Sequence, residues 1–413
     1  MSERPSVADL NRRLAALSPE RRAALEQAMR ARAVSLPPEL AAPTARAAAQ
    51  PDRRRRRPTS RMAFSLFFFS GDGSTQDGEK YRLLLDCARF ADEHGFAAVW
   101  VPERHFVDFG GLYPNPSLLA AALAVTTRRV QLRAGSVVLP LHHPVRVAEE
   151  WAVVDNLSGG RAAISAASGW HPDDFVLAPG GPDGFPRRKD AMFEAIETVQ
   201  RLWAGETIDV SRPDGSVRAV RTLPRPLQPT LPVWVSAAGS VETFERAGAI
   251  GANILTGVIG HRLVELGEKI TAYRAARAAG GHDPAAGTVT TMVHTFLGTS
   301  DEEVRGLVRK PLIDYLGTFL RQHQGIEGGF GALDDDARAA MLDATFERYF
   351  QSLALLGTPD KCEALVEDLV DVGVDEVACL VDFGLSPDTV RDGLRHLADL
   401  RNRYQSSEGP TDD

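Results

Sequence analysis

Cysteine is scarce in this chain of 413 residues: Cys87, Cys362 and Cys379 are the whole set, and no two form a CxxC pair. So small and scattered a set argues against a disulfide framework and against a thiolate zinc site. It points instead to buried apolar thiols in a protein of the reducing cytosol. Long hydrophobic runs are missing too. No stretch approaches the roughly eighteen apolar residues of a membrane span, and the N-terminus lacks the short apolar core of a secretory signal. Nucleotide fingerprints are also absent. No G-x-G-x-x-G follows the first strand-like segment, the glycines of "FSGDGSTQDGEK" (69–80) are wrongly spaced, and there is no Walker A sequence. Neither H-x-H nor H-E-x-x-H occurs. Glu103, His105, His142, His143, His171, Asp173 and Asp174 are a polar set without metal-ligand spacing, so no metal is expected.

What is present is a globular composition, 44% hydrophobic and 25% charged, in a chain long enough for one large domain with attachments or for two ordinary domains. The net charge of −8 is unevenly spread: residues 1–61 carry 14 Arg against 6 Asp and Glu, leaving an acidic body. A basic arm on an acidic body does not suggest nucleic-acid binding, and the run Arg53–Arg57 reads as solvated linker. Residues 1–34 read as a helical docking arm. Leu10, Leu14 and Leu17 share a helix face, and "LSPE" offers Ser18 as an N-cap with Pro19 behind it. Residues 35–61 form a Pro/Ala/Arg linker, 62–404 the folded body, and 405–413 a disordered tail.

From Met62 onward, apolar strand-like runs alternate with helical patterns. The strand-like runs are 62–69, 96–103, 130–140, 161–168, 232–238, 252–257, 288–298 and 374–384, with a hairpin near 208–222. This alternation predicts an α/β fold, a (β/α)8 TIM barrel. In such a barrel the strand ends line the active face. "VPERHF" therefore puts Glu103, Arg104 and His105 at the end of the second strand, on the rim rather than buried without partners. Small residues line other strand ends: Ala134-Gly135-Ser136, Ala166-Ala167-Ser168-Gly169 and Ala237-Ala238-Gly239-Ser240. They let backbone approach a flat ligand, and the last precedes a helix whose N-terminus suits a phosphate. The alternative there is a plain helix capped by Ser240. Trp170 and His171 could stack on an aromatic ligand and offer a proton. Arg187, Arg188 and Lys189 crowd a helix start, where an anion would compensate them; the alternative is a solvated surface cluster.

Four segments in order, "GFAAVWVPERHFVDFGGLYPNPSLLAAALA", "RAGSVVLPLHHPVRVAEEWAVVDNLSGGR", "SGWHPDDF" and "LLGTPDKCEALVEDLVDVGVDEV", resemble the bacterial luciferase-like flavin monooxygenases. The resemblance spans nearly all of 62–403. It implies a barrel with luciferase-like insertions, FMN taken up reduced from a partner flavin reductase, and O2. A flavin C4a-hydroperoxide would then transfer oxygen or attack a carbonyl. Carried onto this sequence, it places Ala134, Gly135 and Ser136 against the flavin, with a cis Gly135–Ser136 peptide, near Ser168 and Trp170. Ala238, Gly239 and Ser240 would hold the phosphate with Arg188. Glu103 matches a family acid, and His105 the second histidine of a family pair.

Two departures stand out: Arg104 replaces the first histidine of that pair, and Ala167 replaces a reactive cysteine. Light emission is therefore not expected, and base duty passes to His105 or His171. The motifs are most similar to the branch associated with polyketide and nonribosomal-peptide assembly. That implies an acyl or aminoacyl substrate, with the arm (1–34) meeting an acidic carrier protein, and a homodimer like those of relatives. Loops after the second and fourth strands plus residues 324–331 would form a lid. Two rivals stay open: a deazaflavin-dependent hydride-transfer enzyme and a non-catalytic scaffold.

Overall fold

The computed structural model describes residues 62–69, 80–258, 262–324 and 335–405. The expected arm and linker lie outside the described residues, as do residues 406–413 of the expected tail and 325–331 of the expected lid.

Each of the expected strand runs is a strand. They are β1 (Ala63–Phe67), β2 (Ala98–Val101), β3 (Gln131–Val138), β4 (Ala162–Ala167), β7 (Val233–Ser236), β8 (Asn253–Gly257), β9 (Val289–Leu297) and β11 (Glu376–Leu380). All pair in parallel in that order, and β11 closes on β1 with Ala63 opposite Glu376 and Phe67 opposite Leu380. This is the eight-stranded parallel barrel read from the sequence. The strands are buried on both faces, which explains their continuous apolar character. The hairpin is antiparallel β5 (Ile208–Ser211) and β6 (Val217–Val220), outside the barrel. Sequence reasoning missed β10 (Leu355–Gly357), which pairs with the far half of β9. At three residues it is too short to show a period.

The helices start where local chemistry dictates. In α2 (Pro116–Thr126), the Asn115 side chain accepts from the Ser117 and Leu118 N–H groups, with Pro116 at the first position. In α3 (Pro144–Ser158), Nδ1 of His143 accepts from Val145 N–H and Gly159 ends the helix in the left-handed region. The others that matter here are α1 (Arg82–Glu93), α4 (Arg188–Ala204), α5 (Val241–Ala249), α6 (Leu263–Ala279) and α7 (Asp301–Gln324).

Below the mouth, the barrel interior holds a satisfied ionic plug. Arg133 donates to both Glu376 oxygens at 2.8 Å, Ser65 donates to Glu376 Oε1 at 2.5 Å, and Trp100 Nε1 donates to Ser65 at 2.9 Å. The guanidinium lies between Trp100 and Trp234, 4.7 and 4.3 Å from their ring centres. Every strong polar group in it has a partner, the condition under which buried charge is tolerable.

Candidate active site

The chain leaves β2 through Pro102 and delivers Glu103 to the mouth with its side chain fully buried. Oε1 accepts from Nε2 of His105 at 2.9 Å and from Nε2 of His142 at 2.7 Å, while Oε2 accepts from Val138 N–H at 2.8 Å. Both rings thus turn Nε2–H toward the acid, leaving Nδ1 as the remaining acceptor. Burial pushes the Glu103 carboxyl up, but the hydrogen bonds from His105, His142 and Val138 outweigh it and hold it below the usual carboxylate range. Burial likewise pulls His142 down, and Glu103 more than reverses that, so His142 titrates above an ordinary histidine. Glu103 anchors two imidazoles. Sequence reasoning put His105 among the catalytic candidates but weighed His142 only within the polar set that lacks metal-ligand spacing. "LHHP" at a strand end was the available signal: His142 turns to Glu103, while His143 caps α3.

Arg104 turns the other way. Its guanidinium carbon lies 4.9 Å from the Phe69 ring centre, 5.1 Å from Trp170 and 5.7 Å from Phe109, an aromatic collar that leaves the residue 6% exposed. Burial lowers its pKa, against the pull of Asp174 and Tyr315. Gly110, at φ +84°, lets the following loop pass, since a Cβ there would sit 2.7 Å from Arg104 Cγ. A cavity of about 460 Å³ opens beside Arg104 and His105, walled also by Lys80, Phe106, Asp108 and Leu112.

The loop after β4 supplies the facing wall. Trp170 stands edge-on to His171, with centroids 5.3 Å apart. Nδ1 of His171 has no hydrogen-bond partner among the described residues, and Asp173 Oδ2 lies 3.9 Å away. Burial raises the Asp174 carboxyl against the pull of His171, His105 and Arg104, which places all four groups in one electrostatic neighbourhood. Arg188 Nε donates to Gly169 O and Nη1 to Phe185 O, both at 3.1 Å, so Arg188 braces this loop. Among the described residues no group of three or more His, Cys, Asp and Glu is arranged to hold a metal.

The floor is built of small residues. Ala134 is fully buried, the Gly135–Ser136 peptide is cis, and a Cβ on Gly135 would meet the Phe67 ring at 2.7 Å. Ser136 Oγ and Ser236 Oγ are 2.5 Å apart, and Ser236 Oγ and Ser165 Oγ 2.8 Å. Ser168 lies half-buried beyond β4. At the end of β7, Ala238 and Gly239 are exposed, and Ser240 precedes α5 without capping it through its side chain. The first-turn N–H groups of α5 therefore lack the hydroxyl of a plain Ser240 cap, though Thr243 N–H donates to the Ser240 carbonyl.

Sequence reasoning also missed His294, an interior residue of β9. It packs against Tyr315, Phe383 and Tyr349 with centroids 4.5, 5.7 and 5.9 Å away, and burial depresses it to about 3. It is a neutral imidazole in an aromatic chamber.

Comparison with known proteins identifies the family. The model of the family described as luciferase-like monooxygenase matches residues 61–376. The oxygenase component of the flavin-dependent trigonelline monooxygenase of Acinetobacter baylyi is 27% identical over 342 residues, covering 81% of this chain and 93% of that protein. The 4-hydroxyprotoasukamycin monooxygenase of Streptomyces nodosus subsp. asukaensis is 33% identical over 170 residues, 41% of this chain and 45% of that one. Among solved structures, the monooxygenase RslO1 from Streptomyces bottropensis superimposes with a TM-score of 0.66 at 26% identity, covering 82% of this chain and 98% of its own. An F420-dependent secondary alcohol dehydrogenase shares the fold alone, at 16% identity and TM-score 0.61 over 84% of this chain and all of its own, 100%.

Proposed function

This chain belongs to the luciferase-like monooxygenase family, and within it we propose the oxygenase component of a two-component enzyme. FMN arrives already reduced by a partner reductase, and molecular oxygen is the co-substrate. The observation that carries the reading is the convergence at one barrel face of a buried carboxylate with two imidazoles, a collared guanidinium, and a floor of small residues. That floor fits a flat ring: nothing larger than serine stands at Ala134, Gly135 and Ser136 or at Ala166 and Ala167. The α5 start, lacking a side-chain cap, suits the phosphate.

FMN, when bound, supplies the electrons and the oxygen activation. The chain supplies the rest. Ionised Glu103 fixes the tautomers of His105 and His142, so Nδ1 of each is the atom that takes and returns a proton. His142, raised by that carboxylate, holds a proton more readily than an ordinary histidine. Arg104 cannot act as a base, but it can hold a carbonyl oxygen or an anionic group. The collar of Phe69, Phe109 and Trp170 keeps water from it.

The substrate in this reading is an acyl or aminoacyl intermediate of natural-product assembly, by hydroxylation or Baeyer–Villiger insertion. The assembly-line motifs and the likeness to the 4-hydroxyprotoasukamycin monooxygenase support it. The basic segment 1–34 would meet an acidic carrier protein. The exposed Leu118 and Val125 of α2, beside Val153 and Leu157 of α3, support pairing with a second copy. No helix among the described residues is long and apolar enough to cross a membrane, and a cytosolic location goes with this reading.

Anaerobic titration with photoreduced FMN, followed by an oxygen pulse, tests the core of the proposal. Tight binding and rapid oxygen uptake are expected. Binding of deazaflavin with alcohol oxidation and no oxygen uptake would replace it with hydride transfer, and failure to bind any flavin would leave a scaffold.

A further inference from the structure

Ser136, Ser236 and Ser165 form a chain of hydroxyls across β3, β7 and β4, with links of 2.5 and 2.8 Å. Three hydroxyls carry three O–H donors, and two links use two of them. One donor is left over. Its location follows from burial. Ser165 is fully buried, and Ser236 is its hydrogen-bond partner among the described residues. If Ser165 accepted from Ser236, its own O–H would point into apolar packing unpaired, which costs about as much as a lost hydrogen bond. Ser165 therefore donates to Ser236. The third O–H then belongs to Ser236 or to Ser136, and both are part-exposed at the mouth.

The geometry points to a single outward-facing hydrogen-bond donor, presented by the Ser136–Ser236 pair, that positions the flavin ring through one of its ring acceptors. This rests on the flavin reading of the floor and deepens it, since small residues alone would leave the ring unoriented. The donor is supported from beneath: an O–H that itself accepts a hydrogen bond is a stronger donor. Either hydroxyl alone keeps one donor outward. After Ser136→Ala, Ser236 still receives from Ser165 and turns its own O–H out. After Ser236→Ala, Ser136 is released to do the same. The function is therefore redundant between two residues, and only their joint removal abolishes it.

Oxidised FMN is the probe, and its affinity and visible absorption bands are the readouts, so no turnover is needed. The double variant S136A/S236A should bind FMN about three- to tenfold more weakly, the effect of one hydrogen bond. Its bound-flavin bands should shift toward those of flavin in an aprotic medium, while each single alanine variant, which keeps one outward donor, should stay close to the unsubstituted protein. Because the double variant removes volume next to a tight backbone, S136A/S236C is made alongside it: a lone thiol fills the space but donates weakly, so the same shift is expected in smaller degree. Equal affinity and unchanged bands in both double variants would overturn the inference while leaving the flavin reading intact. So would S165A reproducing the double alanine variant, because that would trace the effect to packing. Failure of the unsubstituted protein to bind FMN in either its oxidised or its photoreduced form would overturn both.

Discussion

His142 and Glu103, 39 residues apart in sequence, meet at the barrel mouth with Nε2 2.7 Å from Oε1, and that oxygen already holds His105 at 2.9 Å. One buried carboxylate thereby sets the tautomer and the direction of two rings, and much of the site's behaviour follows from it.

Replacing Glu103 by Gln keeps the shape but removes the charge and turns a donor toward one of the rings. Turnover should fall by about tenfold or more, because each charge-assisted bond is worth about 1.5–3 kcal/mol. Flavin affinity should change little. Steady-state kinetics beside FMN titration decides it, and an unchanged kcat would remove Glu103 from the proton path.

The same clamp has a pH window. The Glu103 carboxyl is held down, so its contribution to stability is present above the ordinary carboxylate range and lost as pH falls through its lowered value. The His142 imidazole is raised, so its contribution is complete below 6.5 and lost as pH rises through its raised value. The stability advantage over His142→Ala should therefore peak in mildly acidic solution and shrink toward alkaline pH. Thermal melts of the two proteins across pH measure this. An advantage that grew with pH would contradict the assignment.

Arg104→Lys keeps a cation but loses the plane that stacks within Phe69, Phe109 and Trp170. Once a substrate is in hand, KM should rise about tenfold, equal to about 1.4 kcal/mol, with flavin affinity unaltered. A loss of flavin binding instead would place the guanidinium on the cofactor.

Glu376→Ala strips the plug of its only anion and leaves Arg133 buried between two tryptophans. Breaking a buried pair from one side costs about 3–5 kcal/mol. Urea denaturation should show a loss of that size, and a change under about 1 kcal/mol would mean that water enters the barrel to solvate Arg133.

At the floor, Gly135→Ala forces a Cβ to within 2.7 Å of the Phe67 ring. Overpacking of this kind costs about 1–3 kcal/mol, which denaturant midpoints would report. A variant as stable as the parent would show that Phe67 moves freely aside.

Much of this architecture was legible in the order of residues. Strands buried on two faces are written as unbroken apolar runs, and the helix starts as Asn115-Pro116 and His143-Pro144, because each depends on neighbours in the chain. Polar residues directly after such a run, as in Glu103-Arg104-His105, must lie at a strand end, so the rim was legible as well. What only the tertiary structure decided were pairings over long separations. Ser65 bonds Glu376 across 311 residues and Ser136 bonds Ser236 across 100. His142 faces Glu103 while its neighbour His143 caps a helix. His294 is an interior group because of strand register, which alternates faces with every residue and is fixed only when the barrel closes. The sequence determined which residues could stand at the mouth; the closure of β11 onto β1 decided which of them touch.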